Sequence, residues 1–512
     1  MGNKYSSPSR ASRASVSGEV NDQEDFDACV SNNAPNKSRH LRDTSEEMNA
    51  KPIYSLESYH RSENGRDEFL ITRALFQVFG EHQNVVQGNI NSQISKFLNG
   101  GEYIVKISSG AHHTLLMTNL GGLLSFGRNN DGQLGIGDME MRYSPDICKV
   151  KPVYKELDEH AIDICCGHNH SVILTNYGRL MACGWNANSQ CGLLSHHIDS
   201  FTIVPFNRYT KMLRCGGNST CVLTTRNLFY ITGSLFTKFT EFQCIQDFKE
   251  LLHDGETIED FQVGGQTIVV VTSFKNVYAF GEATYQQFGR INVNSTHFTN
   301  ITKQLPFKSQ NLLSFTCGMF HNVFLLDNGA IYTAGYNGYG QCGTGNLKDT
   351  DDFTLLTKFY KIDTSKEQGN SILAKQSSKK IEYTCFNVAE DEDGKKKPLS
   401  QPFTIGENEM IKSVYAGSYH TIFVSNVGHV YACGNNEYQQ CNVPALDDEE
   451  ETKSIPHIMQ MNIQPKAEIV IFANSSANIT IVAEKGYMNS FFYNSLKKRA
   501  RQGELSDIVC IC

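Results

Sequence analysis

The chain has 512 residues, with 46 Lys+Arg against 54 Asp+Glu, a formal net charge of -8 and a sequence pI near 6.1. That balance disfavours a polyanion binder, because neutralising nucleic-acid phosphates takes a basic excess. Hydrophobic residues at 40% together with 41 glycines make an ordinary globular composition, sufficient for a large core, and exclude wholesale disorder.

Residues 1–65 read as a disordered Ser/Asn-rich leader. Its opening, MGNKYSSPSR, lacks the apolar core of a signal peptide, and no stretch of the chain approaches the roughly 18 consecutive apolar residues of a spanning helix. A cytoplasmic protein is therefore expected. Gly2, followed by Asn3, Lys4, Tyr5 and Ser6, fits the N-myristoylation pattern. One acyl chain binds membranes only marginally, so Lys4, Arg10 and Arg13 would have to supply the second signal. Phosphorylation of Ser12 or Ser15 would cancel that charge and release the tail.

From residue 110 onward the sequence repeats. A first glycine at Gly110, Gly167, Gly216, Gly264, Gly318 and Gly417 is followed 17 residues later by a second at Gly127, Gly184, Gly233, Gly281, Gly335 and Gly434. Between each pair lie two short apolar runs rich in β-branched and aromatic residues. Turn formers separate them, such as Asn328-Gly329, which predicts a hairpin per repeat. In five copies a glutamine stands six positions after the second glycine, at Gln133, Gln190, Gln287, Gln341 and Gln440. A weaker copy, FANSSANITIVAEKG at 472–486, has the first run only. ALFQVFG at 74–80 resembles the missing second run, so an N-terminal strand is expected to complete the last sheet and close a ring.

These repeats, above all GAHHTLLMTNLGGLLSFGRNNDGQLGIGD and CGMFHNVFLLDNGAIYTAGYNGYGQCGTG, resemble the regulator of chromosome condensation family. The resemblance covers roughly 70–486 and implies an all-β, seven-bladed propeller closed by the N-terminal strand. The interval from Gly318 to Gly417 is 99 residues where the others run from 48 to 57. The excess is read as a charged insertion at 347–408, expected to form a flexible loop on one propeller face. The acidic run LDDEEE at 446–451 reads as a shorter excursion.

Other patterns invite chemistry that the repeat explains more simply. Gly338, Gly340 and Gly343 form a G-x-G-x-x-G string, but TGNLKDTDDF after it lacks the helical period that a dinucleotide site needs. Sixteen cysteines without a signal peptide suggest a reducing compartment. Cys166, Cys215 and Cys317 precede first glycines, and Cys191, Cys342 and Cys441 follow glutamines, where a small buried hydrophobe suffices. Cys191 with His196 and His197 is the nearest metal-like cluster, and no C-x-x-C pair exists. His113, His170, His321 and His420 recur three positions after the first glycine, which points to a shared structural bond rather than a catalytic base. No enzyme, cofactor or metal is expected.

Beyond the propeller, residues 487–512 end in GELSDIVCIC, which resembles the opening of a BTB domain. Such a domain implies dimerisation and recruitment of cullin ubiquitin ligases, although one strand cannot build its core. The rival reading is a prenylation terminus, Cys510 and Cys512 behind Lys497, Lys498, Arg499 and Arg501. The expected function is a non-enzymatic protein-interaction scaffold, a substrate-recognition part of a ubiquitin-ligase adaptor. The alternative implied by the family is guanine-nucleotide exchange on a Ran-type or other small GTPase. Partners would be proteins, with reversible membrane association through Gly2.

Overall fold

The computed structural model describes residues 76–80, 90–99, 102–140, 147–235, 237–293, 296–361, 379–383, 388–390, 396–398, 409–443, 453–461, 469–472 and 479–484. The leader, Gly2, the LDDEEE run and the tail resembling a BTB opening lie outside them.

Each Gly-to-Gly frame folds into a four-stranded antiparallel meander. The first blade comprises Ile104–Ser109, His113–Thr118, Leu123–Gly127 and Cys148–Val150; the second Ala161–Cys166, His170–Thr175, Leu180–Trp185 and His197–Ile203. The third is Thr210–Gly216, Asn218–Thr224, Phe229–Ser234 and Lys238–Cys244, and the fourth Ile258–Val263, Thr267–Thr272, Val277–Gly281 and Thr299–Asn300. The fifth is Leu312–Cys317, His321–Leu326, Ile331–Gly335 and Thr354–Leu355, and the sixth Ile411–Ala416, His420–Ser425, Val430–Asn435 and Ser454–Gln460. Two α-helices are described, Ile90–Phe97 and Gln246–Leu251.

The fold is an all-β propeller of six blades, which corrects the sevenfold expectation. Among the described residues the last, half-length repeat supplies Ile469–Phe472 and Ile479–Glu484. The strand Phe76–Gly80 pairs antiparallel with the second of these, Phe76 opposite Ala483 and Gly80 opposite Ile479. That sheet has three strands and stays one short of a blade, because the half-repeat carries no second hairpin.

Second strands such as His113–Thr118, His170–Thr175 and His321–Leu326 are buried at every residue, since neighbouring blades cover both faces of each sheet. This is why they read as continuous apolar runs rather than alternating ones. The core is therefore a series of inter-blade layers. Val323, Leu325 and Ile331 of the fifth blade pack on Val414, Phe423 and Tyr431 of the sixth. Phe229 and Phe261 meet edge to face at 4.9 Å between the third and fourth. In all six blades the register of the first strand slips after its first residue, as between Ile104 and Lys106, a bulge that bends the strand.

The insertion starts later than expected and carries strands. Thr354–Leu355 is the outer strand of the fifth blade. Beyond it Thr357–Lys361 pairs with Lys379–Tyr383, and Val388–Glu390 with Lys396–Pro398, giving two antiparallel ribbons. Gly340 and Gly343 have φ of +83° and +67°, and turns rather than a helix follow them, so the dinucleotide-like string is blade loop.

Candidate functional site

The repeated residues are consumed by the joints between blades. Nε2 of His113 lies 2.9 Å from Ser171 Oγ of the next blade, His170 Nε2 lies 3.0 Å from Thr220 Oγ1, and His321 Nε2 lies 2.8 Å from Thr421 Oγ1. Each hydroxyl in turn donates to the carbonyl of the repeat glutamine one blade back: Ser171 to Gln133 at 2.8 Å, Thr220 to Gln190 at 2.7 Å and Thr421 to Gln341 at 2.8 Å. With the hydroxyl proton so used, the imidazole must donate through Nε2. Burial holds His170 and His321 neutral, their pKa lowered to about 3, and His420 lowered to about 4.

The glycines make room for this strut. A Cβ at Gly110, Gly167 or Gly318 would lie 2.2, 2.0 or 2.1 Å from the imidazole Cε1 of its own repeat. The second glycines have φ between +100° and +125°, and a Cβ there would press on the carbonyl oxygen of the residue before the repeat histidine position. The glutamine side chains clamp their own loops, Gln133 Oε1 accepting from Asp131 N–H at 2.9 Å and Gln341 Oε1 from Tyr339 N–H at 3.0 Å. Burial raises the thiols of Cys166 and Cys342 to about 12, and those of Cys191, Cys317 and Cys441 rise as well, so these cysteines are packing groups. Among the described residues no cluster of three or more His, Cys, Asp or Glu could hold a metal.

What varies from blade to blade lies on one rim. Loops joining first to second strands are laced together by backbone bonds: Ala111 N–H to His168 C=O at 3.0 Å, His168 N–H to Gly217 C=O at 2.7 Å, and Met319 N–H to Ser418 C=O at 3.1 Å. On the first and second blades this rim is polar apart from Trp185. His112 and His168 meet at 6.4 Å, and His168 has its pKa lowered by burial, then by His112 and Arg128. Trp185 packs edge-on against His197 at 4.7 Å.

Across the fourth to sixth blades the same rim is aromatic. Tyr285 lies 5.1 Å from both Phe320 and Tyr336, Tyr339 lies 5.2 Å from Tyr419, and Phe320 lies 6.1 Å from Tyr419. All five rings are half-buried. Burial raises the Tyr336 phenol, followed by Tyr339, the Asp349 carboxylate and Tyr285. Burial likewise raises Tyr419, followed by Tyr339, Tyr336 and Tyr285, so the four phenols share one environment. Gly338 lets Tyr336 lie across the loop, since a Cβ there would sit 2.2 Å from its hydroxyl. At the edge stands Glu282, whose N–H donates to Gln266 C=O at 3.2 Å and whose Oε2 is buried with no partner among the described residues.

The repeat glycines therefore build the scaffold, while the aromatic residues were not singled out in the sequence. Their signal was available: they occupy the non-repeating positions beside repeated ones. Phe320 and Tyr419 precede histidines, Tyr336 follows a second glycine, and Tyr285 and Tyr339 stand two before a glutamine.

Six sheets joined through recurring Gly, His and Gln positions define a repeat β-propeller that carries its distinguishing side chains on a loop rim. The regulator of chromosome condensation (RCC1) repeat matches residues 121–174 in one form, and 104–133, 161–190, 314–341 and 411–440 in a second. The chain carries RCC1 repeats, and its relatives support the same propeller family. It is 24% identical over 397 residues to the Ultraviolet-B receptor UVR8 of Arabidopsis thaliana, covering 71% of this chain and 86% of that protein. It is 25% identical to the Regulator of chromosome condensation of Xenopus laevis, covering 51% of this chain and 66% of the relative. Against the X-linked retinitis pigmentosa GTPase regulator of Canis lupus familiaris the identity is 28%, over only 32% of that longer protein. Prp20p from Saccharomyces cerevisiae superposes with a TM-score of 0.57 at 14% identity, over 88% of this chain and 99% of Prp20p, which establishes likeness of fold.

Proposed function

We propose that this propeller is a non-catalytic protein-interaction scaffold that engages its partner through the loop rim, with the insertion beyond Leu355 adding contacts. One observation carries the reading: the recurring residues are spent on inter-blade struts, whereas five half-buried aromatic rings gather over the fourth to sixth blades at positions that, Trp185 apart, are polar on the first and second. Exposed aromatic clusters of this kind serve as anchors in protein interfaces. The test is affinity capture from lysate with the full chain, with residues 362–408 deleted, and with Tyr336→Ala plus Tyr339→Ala. The rim variant is expected to lose captured proteins that the wild type retains. Equal capture by all three would overturn the reading.

The finer role is that of a substrate-recognition part of a ubiquitin-ligase adaptor, motivated by the GELSDIVCIC ending. Its check is co-purification of ubiquitin-ligase subunits with the full chain, and their absence would overturn this finer role. A second reading, guanine-nucleotide exchange, is favoured by relatives that include an RCC1-like G exchanging factor-like protein of Mus musculus, 23% identical over 48% of this chain. Accelerated nucleotide release from any member of a small-GTPase panel would replace the scaffold reading with this one.

The leader is proposed to place a cytoplasmic protein reversibly on membranes. Gly2→Ala should shift it from membrane to soluble fractions, and an unchanged distribution would count against acylation.

A further inference from the structure

We propose that the aromatic rim over the fourth to sixth blades, bounded by Glu282, is a binding site for an arginine side chain presented by a protein partner. This deepens the interaction reading above and rests on it.

The fold does not require aromatic residues there. At the corresponding positions the first blade carries His112, Arg128 and Asp131 and the second Asn169, Trp185 and Asn188, so that only Trp185 among them is a large aromatic, with the same strand pairing. Tyr285, Phe320, Tyr336, Tyr339 and Tyr419 nevertheless gather with neighbouring centroids 5.1 to 6.5 Å apart, each half-exposed. Half-exposed ring faces present the negative side of their quadrupoles, which attracts a cation placed over them.

The polar groups at the edge choose the kind of cation. Glu282 Oε2 and Gln266 Oε1 are buried acceptors with no donor among the described residues, and Asp349 is exposed beside Tyr336. Glu282 and Gln266 are joined through their backbones at 3.2 Å, and Glu282 stands three residues before Tyr285 in the same loop. A site with unmet acceptors and π faces needs a group that only donates and is flat. Guanidinium has five N–H donors, no acceptor, and stacks on rings while bridging a carboxylate. An ammonium is more strongly hydrated and cannot stack, so lysine fits less well.

The test uses the full chain and a fluorescein-labelled Gly/Ser peptide bearing two arginines, with two versions in which both are citrulline or both lysine. Anisotropy titration should show the arginine peptide binding about tenfold more tightly than its neutral citrulline counterpart, with lysine between them. Glu282→Gln, nearly isosteric, and Tyr336→Leu should each weaken the arginine peptide by about fivefold or more, whereas Tyr339→Phe, which keeps the ring, should change it by less than about twofold. Thermal melts identify any variant that fails to fold; if Tyr336→Leu does, Glu282→Gln decides. Equal binding of arginine and citrulline peptides, or wild-type affinity in Glu282→Gln, overturns the site. Lysate capture separates this from the broader reading: partners retained by Glu282→Gln but lost from the double tyrosine variant sink the arginine site alone, and a wild type that captures nothing sinks the scaffold reading.

Discussion

His113, His170 and His321 each span a blade boundary, and the residues they meet follow a rule. Ser171, Thr220 and Thr421 occur where the preceding blade has both the histidine and the glutamine. The third blade has neither, with Ser219 in the histidine position, and the fourth presents Ile268 instead of a hydroxyl. The fourth blade has Gln287 but Thr267 in place of histidine, and the fifth answers with Asn322, which donates to Gln287 C=O at 2.9 Å. Because the folded pKa of His170 and His321 is lowered to about 3, against about 6.5 when unfolded, the unfolded chain binds more protons between those values. Stability from these groups is fully present above about pH 6.5 and falls as pH drops toward 3. At pH 5 each such histidine costs about 2 kcal/mol relative to neutral pH. Urea midpoints at pH 7.5 and 5 should differ accordingly, and His170→Gln plus His321→Gln should flatten the dependence even while lowering the midpoint at pH 7.5. Gly184→Ala is expected to cost well over about 1 kcal/mol, because φ is +103° and the new Cβ would meet Asn169 C=O at 2.5 Å. An unchanged melting temperature would refute that.

At the scale of elements, the hairpin in each repeat was legible because the second strand is apolar throughout and turn formers such as Asn328-Gly329 end it. The bulge in every first strand was not, since it depends on how the strand bends against its neighbours. The helix Ile90–Phe97 was not anticipated either. The outer strands were hardest to see. Thr299–Asn300 and Thr354–Leu355 are two residues long and half exposed, too short for any periodicity. For that reason the boundary of the insertion fell on the wrong side of the fifth blade. The strand Phe76–Gly80 covers one edge of Ile479–Glu484, and an uncovered edge invites other chains. A chain beginning at residue 81 should melt several degrees lower than one beginning at residue 66, and should scatter light on heating. Equal melting and scattering would mean that the N-terminal strand adds no stability.

For the whole molecule, the 17-residue glycine frame determined by itself that the chain is a propeller of hairpins and that its glycines and histidines are structural, because a repeated residue meets a repeated neighbour wherever the ring places it. The repeat also suggested seven blades, six from full copies and the last from a half-copy completed by an N-terminal strand. The pairing of the strand at 74–80 with the last half-repeat was legible too, but only the tertiary structure decided that six sheets are complete blades and that this last one has three strands, since a fourth strand has to find room outside the third and no linear pattern records that. The aromatic rim belongs to the same category. Tyr285 and Tyr419 are separated by 134 residues in sequence, and each by itself is an ordinary loop tyrosine. Closure of the ring brings their blades to either side of the fifth, where Phe320, Tyr336 and Tyr339 join them into one surface.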